Sequence, residues 1–158
     1  SKATLQKLRD TFPRQFGSDY SQRDYLPVEI LPSFAGMGGG GTGDGDNDLG
    51  MIPRHLIEDE LRGKPEDMLL IDVRGDSMEP DFKHGDQILI DRRDQNLAQP
   101  GPFAIWDGDG YVVKIVERVA DNRDQLRVFS ANDRYSPYIV MAEEFQIMGR
   151  PVWIARRL

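Results

Sequence analysis

Residues 73–86 read VRGDSMEPDFKHGD and set Ser77 in a turn between two apolar runs, LLIDV and QILID. A serine hydroxyl is a weak nucleophile until a neighbouring base removes its proton. The chemistry open to Ser77 therefore depends on the bases the chain can bring to it. The chain has no cysteine and two histidines, His55 and His84. That excludes disulfides, thiol catalysis and cysteine metal sites, and it leaves few partners for a serine–histidine pair. His84 lies in the polar turn DFKHGD with no evident orienting partner, and reads as a surface residue. Lys114 is more informative. It sits in Tyr111-Val112-Val113-Lys114-Ile115-Val116, where Val112, Lys114 and Val116 share one face of a strand. Flanking valines strip water from an ammonium and lower its pKa from ~10.4 toward neutrality. A neutral lysine can then act as general base. The same residue can also be read as a charge that guards an edge strand.

The surroundings of Ser77 carry two compatible readings. Gly75 frees the backbone before the serine, and Pro80 suits a sharp turn after it. Such a turn exposes the hydroxyl and points backbone N–H groups outward, as an oxyanion hole requires. Alternatively, Ser77 caps a helix over SMEPDF.

The elements that must position these residues are legible in outline. SKATLQKLRDTF has helical spacing at Leu5, Leu8 and Phe12 and stops at Pro13. YLPVEIL (25–31) reads as an extended, edge-type strand, because Pro27 and Pro32 forbid a helix. IPRHLIEDELRG (52–63) reads as a short helix, with Pro53 at its start and Gly63 past its end. From Met68 onward, short apolar runs alternate with turn signals: MLLIDV, QILID, FAIWD, YVVKIVERVA, QLRVFSA, YIVMA and FQIMGRPVWIARR. The expected fold is mostly β.

The glycine-rich stretch 34–50, FAGMGGGGTGDGDNDLG, invites two assignments that fail. Gly36 to Gly41 match GxGxxG, but no strand–turn–helix surrounds them and an acidic segment follows where pyrophosphate would dock. Asp44, Asp46 and Asp48 have the spacing of a calcium loop, yet its sixth position is Leu49 and its twelfth His55. No metal or cofactor is expected. The stretch does contain Ala35-Gly36, a small-residue bond following the extended run VEILPSFA. An extended segment beside a flexible loop can add itself to a sheet edge, or it can simply be a tether.

The formal net charge of −7 argues against this chain gripping nucleic acid or an anionic membrane by bulk charge. No apolar run approaches the ~20 residues of a membrane span, and no signal peptide is visible. The expected location is the cytoplasm.

Taken together, GDSMEP, the following HGDQILID, the VVKIV strand and the upstream Ala35-Gly36 bond resemble the S24 peptidase family. These are the self-cleaving C-terminal domains of LexA, of phage repressors and of the mutagenesis protein UmuD. The resemblance runs over roughly residues 25–157. It implies twisted antiparallel sheets with short helices and a mobile cleavage loop at 33–50. It also implies Ser77 as nucleophile, Lys114 as general base, the Ala35–Gly36 peptide as intramolecular substrate in preference to Met37–Gly38 or a Gly-Gly bond of the same loop, and the backbone N–H groups of Ser77 and Asp76 as the oxyanion hole. The implied partners are a second copy of the chain, and the RecA–single-stranded-DNA filament or a small antirepressor as inducer. Operator DNA would be bound only through an N-terminal helix-turn-helix domain. Nothing in residues 1–24 resembles one, so that stretch reads as a helix and linker remnant preceding a domain at 25–158. Two other roles fit the resemblance: a non-cleaving dimerisation module switched by a bound partner, and a UmuD-like polymerase accessory protein.

Overall fold

The computed structural model describes residues 1–4, 24–32 and 48–158. Its nine strands are β1 (Tyr25–Leu31), β2 (Leu49–Pro53), β3 (Met68–Asp72), β4 (Gln87–Asp91), β5 (Gly101–Trp106), β6 (Tyr111–Val119), β7 (Asn122–Phe129), β8 (Tyr138–Met141) and β9 (Ile147–Ala155). They form one sheet in the order β2-β1-β3-β4-β9-β5-β6-β7-β8. All described pairings are antiparallel except that of β1 with β3. The sheet is therefore mixed, where the sequence suggested antiparallel sheets.

The uninterrupted apolar runs of β3 and β4 belong to strands covered on both faces. Alternate side chains go to opposite sides. Leu69, Ile71, Ile88 and Ile90 pack with Leu31, Met78, Ala104 and Val113. Met68, Leu70 and Leu89 pack with Val28, Ile52, Leu56 and Ile57. A third cluster, Phe103, Ile105, Val116, Leu126 and Val128, fills the β5–β7 end. The sheet bends through register shifts at Leu89/Ile90, Ala104/Ile105 and Arg118/Val119. Where β9 passes β4, only glycine fits: a Cβ on Gly149 would collide with the Asp91 carbonyl.

Three expectations change. The helix expected over 52–63 shrinks to a π-type turn at Leu56–Glu60 with Arg54 and His55 helical before it, because Ile52 and Pro53 are drawn into β2. β1 lies one strand in from the edge. Pro27 is tolerated there because β3 pairs only with Ile30 and Leu31, leaving Pro27 outside that ladder. Leu49 and Gly50, expected in the loop, open β2. Of the expected N-terminal helix, residues 2–4 are helical; the rest lies outside the described residues, as does most of the 33–50 loop. Among the described residues, no helix is long and apolar enough to cross a membrane, and no group of three His, Cys, Asp or Glu side chains could hold a metal ion.

The HGD motif has a structural explanation. Asp86 is buried and accepts from Arg156 Nε (2.8 Å), Arg156 Nη2 (2.7 Å) and the Lys83 backbone N–H (2.7 Å). This ties the chain just past β9 to the turn before β4. The Arg156 hydrogen bonds hold the Asp86 carboxyl below the usual carboxylate range, against the opposing pull of burial. A lowered carboxylate pKa adds stability at neutral pH that is lost as pH falls through the lowered value. Arg156→Ala leaves the buried Asp86 carboxylate with only the Lys83 N–H and is expected to lower the urea midpoint of unfolding. In urea unfolding, the gap from wild type should be widest near pH 7 and should narrow below about pH 4.

Candidate active site

The segment between β3 and β4 folds back on itself. Val73 N–H donates to Asp86 O (2.8 Å) and Gly85 N–H to Val73 O (2.9 Å). Gly75 adopts φ +75°, a left-handed conformation that favours glycine, and its N–H donates to His84 Nδ1 at 3.0 Å. The turn then closes through Glu79 N–H to Asp76 O (3.1 Å) and Phe82 N–H to Met78 O (2.9 Å). Residues 77–81 are turns and no helix follows Ser77, so the helix-cap reading of that serine falls. Met78 is buried in the core and anchors the turn. Its neighbour Ser77 stays half-buried, at the edge of a cavity lined by Ile71, Val73, Met78, Tyr111 and Val113.

Lys114 projects from the middle of β6, paired with Phe103 of β5. Its Nζ lies 2.8 Å from Ser130 Oγ and 5.5 Å from the Tyr135 ring centroid. Burial pushes its pKa down, against a smaller opposing attraction from Asp107. The expected desolvation is present; of the valines on its own face, Val116 is buried and Val112 partly buried, while Val113 is buried on the opposite face.

Both residues meet the connector from Ser130 to Tyr135. Asn132 N–H donates to Ser77 O (3.0 Å), Asn132 Nδ2 to Asp76 O (3.1 Å) and the Tyr135 hydroxyl to Asp76 Oδ1 (2.6 Å). The Ala131 N–H lies 3.4 Å from Met78 Sδ. The bond to Asp76 raises the Tyr135 pKa, so its hydroxyl keeps its proton well into alkaline solution. One short segment thus holds the turn bearing Ser77 and the amine of Lys114. Sequence reasoning read NDRYSP only as a turn. Its polar side chains after a buried strand were the available signal, but the partners lie more than fifty positions away along the chain.

Ser77, Asp76 and Lys114 are thus linked through the Ser130–Tyr135 connector, but no hydrogen bond joins Ser77 to Lys114; the lysine is turned onto Ser130. His84, weighed as a base, instead supports the turn through Gly75. Ala35 and Gly36 lie outside the described residues.

The sequence profile described as Peptidase S24-like matches residues 36–152. The chain belongs to that peptidase family. No curated protein matches it.

Ser130 accepts a hydrogen bond that favours the charged form of Lys114, so losing it should lower the lysine pKa further. In an NMR titration of the Lys114 side chain, wild type should titrate below the usual ~10.4, and Ser130→Ala lower still. An unchanged midpoint in Ser130→Ala would show that Ser130 does not bear on the amine.

Proposed function

We propose that this chain is the self-cleaving domain of a LexA-like or phage-type transcriptional repressor, hydrolysing its own Ala35–Gly36 bond to relieve repression after DNA damage. One observation carries the intramolecular part of this reading. β1 runs parallel to β3 through Ile30–Leu70 and Leu31–Ile71, Leu31 packs against Met78 and Val113, and Pro32 O accepts from Tyr111 N at 3.4 Å. The strand thus ends at the cavity beside Ser77. Ala35 is three residues further on, within roughly 11 Å of extended chain.

In this reading, neutral Lys114 takes the Ser77 proton and Oγ attacks the Ala35 carbonyl carbon. The N–H groups of Ser77 and Asp76 receive the oxyanion. Collapse breaks the bond to Gly36 nitrogen, which takes the proton from Lys114 as the new amine leaves. Water, activated by the same lysine, then hydrolyses the ester and leaves an Ala35 carboxylate. A substrate on the same chain gives high effective molarity. Catalytic hydrogen bonds often shorten only when substrate docks, so the Lys114–Ser130 contact is compatible with a later approach of the amine to Ser77. Control lies in the docking equilibrium, which a RecA–single-stranded-DNA filament or a small antirepressor would shift in a cytoplasmic homodimer. Operator DNA would be contacted by a separate helix-turn-helix domain.

Incubation near pH 9–10 followed by mass spectrometry should give two fragments meeting at Ala35–Gly36. The rate should rise with pH as Lys114 deprotonates, through a midpoint below the ordinary lysine value. Ser77→Ala and Lys114→Ala should stay intact. An unchanged wild-type mass would contradict the proposal and favour a non-cleaving regulatory module.

A further inference from the structure

The carbonyl and N–H of a trans peptide lie in one plane and point in opposite directions. Whatever grips the Asp76 carbonyl therefore aims the Ser77 N–H, because the two belong to the same peptide unit. Two donors grip that carbonyl: Glu79 N–H from within the turn (3.1 Å) and Asn132 Nδ2 from across the sheet end (3.1 Å). The next carbonyl, Ser77 O, is held by the Asn132 backbone N–H at 3.0 Å. The Ser77 N–H itself donates to no group among the described residues.

We propose that Asn132 is a positioning residue for catalysis: by holding the carbonyls of Asp76 and Ser77 from one side, it aims the Ser77 N–H at the site where an oxyanion develops. This rests on the self-cleavage reading. Asn132 bonds neither the Ser77 hydroxyl nor the Lys114 amine and acts through the two peptide units that flank Ser77. Its side chain is fixed for this task, since Asn132 Oδ1 accepts from Arg134 N–H at 3.1 Å and turns the carboxamide nitrogen toward Asp76. Tyr135, bonded to Asp76 Oδ1, braces the same residue through its carboxylate.

Asn132→Asp is the decisive variant. It keeps the shape and the acceptor for Arg134, but places an oxygen where a donor faced Asp76 O. Removing an oxyanion donor outright costs roughly 10²–10³ in rate, and losing its aim should slow self-cleavage tenfold or more on the alkaline plateau. Asn132→Ala should lower that plateau equally without moving its pH midpoint, because Lys114 keeps its surroundings. A rate within twofold of wild type in both variants, or a midpoint displaced in Asn132→Ala, would overturn the proposal.

A second measurement needs no cleavage. In a Ser77→Ala background, hydrogen exchange of the Glu79 amide, which shares the Asp76 carbonyl, should accelerate at least tenfold with Asn132→Asp, while the Leu70 amide in the sheet core is unchanged. Unchanged exchange at Glu79, or lost protection at Leu70 as well, would overturn the proposal. If wild type fails to cleave while Glu79 exchange responds as expected, the self-cleavage reading falls and takes the catalytic role of Asn132 with it. The hold on the Asp76 peptide would stand.

Discussion

A half-buried ammonium loses hydration that its few polar neighbours only partly replace, and Lys114 carries that cost at this site. Lys114 stands on β6 between Val113 and Val116. Burial favours its neutral form, and the Asp107 attraction only partly offsets this. A neutral amine in water-poor surroundings is a base, but it must be held in place. Ser130 supplies the hydrogen bond and the Tyr135 ring lies beside it. The same connector then reaches the serine turn, so the proposed base and the proposed nucleophile are positioned by one piece of chain.

The fold explains why this connector lies where it does. β6, β7 and β8 are consecutive neighbours in the sheet, so the Ser130–Tyr135 link leaves β7 beside Lys114 and crosses toward the end of β3. From the other side, the Asp86–Arg156 pair secures the base of the Ser77 turn to the chain end after β9. Met78, buried between the two, makes the turn part of the core. The serine is mobile only as far as that anchoring permits.

Much of this was legible in the sequence, and the parts that were not share a cause. The apolar runs from Met68 onward became strands because two-residue alternation and turn signals are local. Ser77 and Lys114 could be singled out because their neighbours, Gly75 and the valines, define their surroundings within a few positions. The helix over 52–63 was misread because pairing with β1 captured Ile52 and Pro53, a tertiary effect that outweighs local propensity. β1 was misread as an edge because a strand's place in a sheet depends on a partner elsewhere, here β3. Ser130 and Asn132 escaped assignment because each acts through hydrogen bonds to residues it does not adjoin in sequence, and His84, read as a surface residue, is exposed yet also holds the turn through Gly75.

The central claim is that β1 delivers the Ala35–Gly36 bond to Ser77 of the same chain. The direct measurement is the half-time of cleavage at pH 9–10 across a hundredfold range of protein concentration. Delivery in cis predicts a half-time independent of concentration. A half-time that lengthens in proportion to dilution would show that one chain cuts another, and would contradict the account.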